Sequence, residues 1–255
     1  MTTLLRTRAV TKQFAGIRAL DSVDIDVGHG ERVGLIGPNG AGKTTFFNCI
    51  LGILRADRGT VEFNGADITG LPVHERARRG IGRTFQRIEL FPDCTVRDHL
   101  VIADRVRSGG RFWSDLRRLG RPRPEEITRC EEMLELLGLR DLAAEPIERL
   151  SLGQGRLVEV GRALMTQPTL LLLDEPSSGL DRRETAVLAQ TLREVQHQRG
   201  FAILLVEHDI ELVASFTTRS YLLDFGRTLI DGTTATVMAS AQMRNAYLGD
   251  MEVPT

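Results

Sequence analysis

Lysine is almost missing from this chain of 255 residues: Lys12 and Lys43 are the only two among 33 basic residues. Arginine supplies the rest, a bias that genomic codon usage explains by itself. Against that bias a retained lysine suggests a place arginine does not serve, since its ammonium is a compact point charge and a guanidinium a wide planar fork. Cysteine is scarce too. Cys49, Cys94 and Cys130 are odd in number and lack Cys-x-x-Cys spacing, which argues against a disulfide framework or a cysteine metal site and for reduced thiols of a cytosolic protein. Long apolar runs are absent. Leu170–Leu173 and Phe201–Val206 fall far short of the ~20 residues of a membrane-spanning helix, and MTTLLRTRAV at the start holds no signal-peptide core. Action at a membrane would therefore run through a partner. Neither charge dominates: 33 basic against 34 acidic residues leave a formal net charge of −1, with no global drive toward nucleic acid.

What is present is apolar patterning: 42% of residues are hydrophobic, ample for one large α/β domain. Val23, Ile25 and Val27 alternate with Asp24 and Asp26, the period of a half-buried strand. Thr60–Phe63 repeats the pattern and runs into Asn64-Gly65, a hairpin-turn pair. The first third thus predicts an antiparallel β lobe. The same third holds Arg32–Ile36, a buried strand ending in a glycine-rich turn, with Phe46, Phe47, Ile50, Leu51 and Leu54 following at helical spacing. From Arg87 to Gln167 the reading is mainly helical. Beyond Thr169 strands and helices alternate (Leu170–Leu173, Glu184–Arg199, Ala202–Val206), which predicts a largely parallel sheet.

Three motifs carry chemistry. Gly37-Pro38-Asn39-Gly40-Ala41-Gly42-Lys43-Thr44 fits the phosphate-binding loop G-x-x-x-x-G-K-[ST], in the required strand-then-helix setting. Its glycines let backbone N–H groups converge on phosphate oxygens, and the following helix turns its positive end toward them. Lys43 would neutralise the β- and γ-phosphates, and Thr44 would ligate Mg²⁺. The second motif is the buried run Leu170–Leu173 ending in Asp174-Glu175, which delivers Asp174 to a metal shell and Glu175 to an attacking water. The third is Ser151-Leu152-Gly153-Gln154 before an apolar helix, where Ser151 is by itself a sound N-cap.

Taken in order, GPNGAGKTT, RTFQ, LSLGQGRLVEVGRAL, LLLLDEPSSGLD and VEHD resemble an ABC ATPase over nearly the whole chain. RARRGIGRTFQRIELFPDCTVRDHL, the C-terminal AYLGD and the arginine-rich insertion resemble the branched-chain amino acid and urea importer cassettes. The resemblance implies a P-loop NTPase core of the ABC type, with an N-terminal antiparallel β lobe and an inserted helical lobe over about 87–165. One domain would span 1–250 and a tail 251–255. It also implies ATP and Mg²⁺ as cofactors, with Gly37 through Thr45 holding phosphate. Phe14 would stack on adenine, worth roughly 1–3 kcal/mol, although a core Phe is its rival reading. Gln86 would sense the γ-phosphate and Mg²⁺ while touching a permease, or be a surface amide. Ser151, Gly153 and Gln154 would serve the nucleotide of a second cassette. Asp181 would link the two sites or simply cap the helix after it, and His208 would be the γ-phosphate switch.

The implied partners are transmembrane permease subunits, a second cassette that is the same or a related chain and, indirectly, an extracytoplasmic solute-binding protein, with the chain peripheral on the cytoplasmic face of the plasma membrane. Nucleic acid is not expected. Soluble iron–sulfur assembly and lipopolysaccharide-export cassettes are the rivals. Two positions depart from the family pattern: Gly155 stands where a polar residue is usual and Gly161 where alanine is, each costing roughly 1 kcal/mol inside a helix. Arg105–Arg123, with seven arginines around Phe112, Trp113, Leu116 and Leu119, reads as a solvated insertion or as a lipid-headgroup or permease contact.

Overall fold

A computed structural model describes residues 2–84, 91, 94–107 and 123–248. Two sheets organise it. The first is antiparallel: β1 (Thr3–Phe14) pairs with β2 (Ile17–Val23), β3 (Asp26–Gly28) and β5 (Arg58–Phe63), and β5 pairs with β6 (Ala66–Asp67). Asn64 and Gly65 make the β5–β6 turn with φ of 51° and 75°, a conformation these two residues tolerate. Ala15 and Gly16, at 43° and 88°, make the equivalent turn between β1 and β2 and set Phe14 opposite Ile17.

The second sheet runs β11 (Arg227–Thr233), β10 (Arg219–Asp224), β4 (Arg32–Ile36), β9 (Ala202–Val206), β8 (Leu170–Asp174), β7 (Ile81–Arg83). All neighbours are parallel except the edge pair β10–β11. Burial on both faces explains the unbroken leucines of β8. Leu170 and Leu172 face a core with Phe46 and Ile50 of α1 (Lys43–Leu51) and with Leu5 and Val61 of the antiparallel sheet. Leu171 and Leu173 face the opposite core with the helices.

Those helices are α3 (Val96–Arg107), α4 (Pro124–Leu136), α5 (Leu152–Met165) and α6 (Arg182–Arg199); α2 (Val73–Arg78) lies beside β7. Leu100, Leu134 and Val160 share one continuous core with Leu171 and Leu205, so the helical stretch is welded to the sheet rather than folded around a core of its own. Gly161 corrects the propensity argument. A Cβ there would lie 2.6 Å from Leu137 Cδ1 and 2.9 Å from Leu100 Cδ2, so glycine admits close packing of α5. The chain continues through α7 (Ile210–Phe216), α8 (Thr234–Met238) and α9 (Ala241–Leu248). Burial pushes the thiol pKa of Cys49 up to about 11 and that of Cys130 to about 12, which makes both inert. Among the described residues no helix is long and apolar enough to cross a membrane.

Candidate nucleotide site

Three adjacent parallel strands end side by side, and each leads to a candidate side chain at its carboxyl edge, the usual place for ligands on such sheets. β4 leads into the glycine loop and Lys43, β8 ends at Asp174 and Glu175, and β9 between them leads to His208. The loop needs glycine where it crosses neighbouring backbone. At Gly37, φ 153°, a Cβ would sit 2.0 Å from Leu223 O, and at Gly42, φ 104°, 2.6 Å from Ala19 O. Gly42 caps α1 without a side chain, leaving the first-turn N–H groups pointed outward with the helix's positive end. Asn39, Gly40 and Thr44 are exposed, Thr45 half-buried, and Pro38 and Ala41 buried. Gly226 N donates to Ala41 O at 2.9 Å, so the β10–β11 turn props the loop from behind.

Lys43 is folded into its own loop, donating to Gly37 O at 2.5 Å and Pro38 O at 2.9 Å. Burial lowers its pKa below the ordinary lysine value, while Glu175 and Asp174 pull it back upward. Asp174 moves the other way. Burial first, then the Glu175 charge, raise its pKa, against the pull of Arg83 and Lys43. Glu175 carries φ of 46°, in the left-handed region, and its N–H donates to Val206 O at 2.9 Å. Such a backbone costs of order 1–3 kcal/mol and collects at functional sites. His208 Nδ1 lies 3.9 Å from Glu175 Oε1, with the imidazole half-exposed. The structure therefore brings Lys43, Asp174, Glu175 and His208 together. Phe14 is 43% exposed at its hairpin end, with Lys12 Nζ 5.4 Å from its ring centre. That exposure disfavours the core reading.

Ser151, Gly153, Gln154 and Asp181 form a second group, at the N-termini of α5 and α6. Ser151 Oγ accepts from Gln154 N at 3.2 Å while Gln154 Oε1 accepts from Ser151 N at 2.9 Å, a full capping box. Asp181 Oδ1 accepts from Glu184 N at 2.7 Å. Both residues are thus helix caps, and both remain exposed. A cleft of about 400 Å³ runs between them. Gln86 lies outside the described residues, as do Arg87–Leu90, Asp93 and the 108–122 part of the arginine-rich insertion.

Sequence reasoning passed over two residues. Glu207 is fully buried. One carboxylate oxygen accepts from Ser177 N and Ser177 Oγ at 2.8 and 2.6 Å, and the other from His208 N at 3.1 Å, so it ties the turn after Glu175 to His208. Its signal was an acid closing the apolar run Phe201–Val206, as Asp174 closes Leu170–Leu173. Tyr247, in α9, accepts a hydrogen bond from Gly37 N at 3.2 Å, and one of only two tyrosines touching the loop leaves no local pattern to read.

Comparison with known proteins agrees with this geometry. The ABC transporter family matches residues 20–178. The high-affinity branched-chain amino acid transport ATP-binding protein LivG of Salmonella typhimurium is 35% identical over 97% of this chain and 98% of its own. BraF of Pseudomonas aeruginosa, which carries the same description, is 34% identical over the same shares. Among solved structures, the ADP conformation of MJ1267, an ATP-binding cassette of an ABC transporter, superposes with a TM-score of 0.87 at 31% identity, covering 98% of this chain and all of that one. With its glycine loop, paired acids and signature helix set on this double-sheet scaffold, the chain belongs to the ABC transporter family, as an ATP-binding subunit whose ATP hydrolysis is coupled to transport.

Proposed function

We propose that this chain is the motor of an importer for branched-chain amino acids, urea or a similar small solute, peripheral on the cytoplasmic face of the plasma membrane. The carrying observation is the convergence of Lys43, Asp174, Glu175 and His208 at three neighbouring strand ends, with the signature donors displayed on separate helices. Full-length similarity to LivG and BraF supports the solute class.

In this reading Gly37–Thr45 cradle the phosphates, Lys43 leaves its own loop carbonyls for the β- and γ-phosphates, and Phe14 stacks on the base. Glu175 orients and polarises the attacking water, and His208 contacts the γ-phosphate while Glu207 fixes its backbone. Thr44 and Asp174 fit Mg²⁺, being hard oxygen donors, with Asp174 half-buried at the end of β8 next to Glu175. Bound with ATP, Mg²⁺ would neutralise charge on the β- and γ-oxygens, with Gln86 as the remaining candidate ligand. Ser151, Gly153 and Gln154 meet the nucleotide of a second, identical or related cassette, and Asp181 lies between the two sites. Catalysis is then positioning and electrostatic stabilisation of the transferring phosphoryl group.

The permease docks near Phe91, which is half-exposed, stacked on His99 at 5.8 Å and flanked by Arg162. Co-expression with its permease subunits tests this. The expected result is recruitment to membranes, faster ATP turnover, and loss of both in Phe91→Asp. Capture of soluble partners alone, with Phe91→Asp behaving as wild type, would replace the importer reading with a soluble ATPase.

A further inference from the structure

The signature donors are not free in the single chain. Glu184, one turn into α6, reaches across to the N-terminus of α5, where its Oε1 accepts from Ser151 Oγ at 3.1 Å and from Gly153 N at 3.2 Å. Its Oε2 accepts from Asp181 N at 3.3 Å, and its own N–H donates to Asp181 Oδ1. One carboxylate thus engages Ser151, Gly153 and Asp181 at once. The approach is close: a Cβ on Gly153 would stand 3.0 Å from Glu184 Oε1 and 3.1 Å from its Cδ. In charge and geometry this is an anion held by a hydroxyl, a backbone N–H and the positive end of a 14-residue helix.

A backbone N–H has one proton to give. If Ser151 and Gly153 meet the γ-phosphate of a second cassette's ATP, the carboxylate and the phosphate claim the same donors, and their like charges repel across the same few ångströms. We propose that Glu184 is a positioning residue for the paired site: its carboxylate holds Ser151 and Gly153 oriented in the unpaired chain, yields them to the partner's γ-phosphate on closure, and retakes them when phosphate leaves. The inference rests on the reading that the signature acts on a partner's nucleotide. Glu184 then sets both how much ATP closure requires and how fast the pair reopens. Because the same side chain holds Asp181 N, its release loosens the turn that leads back to Glu175, six residues upstream.

The experiment uses full-length chain carrying Glu175→Gln to stop turnover, titrated with Mg·ATP alone and mixed with its partner cassette, with pairing followed by sedimentation velocity. Glu184→Gln keeps the shape and removes the charge; Glu184→Ala removes the acceptor. Both should lower the ATP concentration for half-maximal pairing about tenfold, the strength of one charge-assisted contact. Both should also slow reopening after ATP is diluted away, with single-chain ATP binding unchanged. A merely structural role would move the midpoint the other way, since a loosened signature pairs less well. An unchanged or raised midpoint in both variants, with Ser151→Arg still abolishing pairing, would overturn the proposal and leave the paired-site reading intact. Pairing of Ser151→Arg as readily as the parent would remove that reading and the proposal with it.

Discussion

The helix that starts at the phosphate loop is held at its far end by one buried guanidinium. Arg76, 2% exposed, donates from Nη1 to Cys49 O and Ile50 O at 2.8 and 2.6 Å, from Nη2 to Thr69 O at 2.8 Å and from Nε to Leu71 O at 2.9 Å. Two of these carbonyls belong to the last turn of α1, which carries the negative end of the dipole, and Cys49 O also accepts from Gly52 N at 3.3 Å. Arg76→Met fills much of the volume and leaves the carbonyls of Ile50, Thr69 and Leu71 without their donor, while Cys49 O keeps the N–H of Gly52. A buried unsatisfied acceptor costs ~1–3 kcal/mol. With water reaching some of these three, the expected loss is about 4 kcal/mol, a large part of the 5–15 kcal/mol typical of a folded domain. Arg76→Lys keeps the charge but not the planar fork, and should lose about half as much. Urea unfolding followed by circular dichroism measures both, while calorimetry on the folded protein should find ATP still bound. A loss below about 1 kcal/mol in Arg76→Met, or full recovery by lysine, would refute the claim that this fork secures α1.

The remaining expectations concern the site and its helix. Glu175→Gln should retain ATP binding, slow hydrolysis by ~10²–10⁴ and accumulate closed pairs; near-normal phosphate release would remove Glu175 from the mechanism. Lys43→Ala should weaken ATP binding, and Lys43→Arg should fail as well because the guanidinium is too wide for the loop; equal calorimetric affinities for Lys43→Arg and wild type would contradict this. Gly161→Ala should destabilise the fold by about 1 kcal/mol in urea, overpacking of ~1–3 kcal/mol outweighing the ~1 kcal/mol of helix propensity gained. A stabilised variant would mean that Leu137 and Leu100 turn aside freely.

Local rules made much of this molecule legible. Asn64-Gly65 reads as a hairpin turn because few residues tolerate its dihedrals, and it is one. Four consecutive leucines read as a strand buried on both faces, and Leu170–Leu173 alternate between two cores. The motif order identified the ATPase because the glycine loop, the signature and the paired acids each sit at a strand or helix end, where a short segment fixes its own geometry. What escaped is what long-range contact decides. Arg76 looks like one more arginine in a basic run until α1 and α2 bring it beneath four carbonyls. Gly161 looks like a helix defect until Leu137 and Leu100 arrive across it. The tie from Glu184 to Ser151 spans 33 positions, and that from Tyr247 to Gly37 spans 210.

Those long ties bear on why a nucleotide switch needs this architecture. Gly37 N is held by α9, Ala41 O by the β10–β11 turn, and the turn after Glu175 by Glu207 on β9's exit. The backbone of the loop and of the turn proposed to bind and activate ATP is therefore braced from several directions, and the Lys43 side chain is what must rearrange, leaving Gly37 O and Pro38 O. Such a preorganised backbone stabilises a phosphoryl-transfer transition state with little reorientation of its own once Lys43 has moved. The signature group is braced differently: Ser151 and Gly153 are held by a single exchangeable carboxylate on the neighbouring helix. On the proposed arrangement the rigid half binds ATP in the single chain, and the exchangeable half decides when two chains close on it. A site with both halves rigid would bind without switching; one with both exchangeable would switch without aligning the water on Glu175.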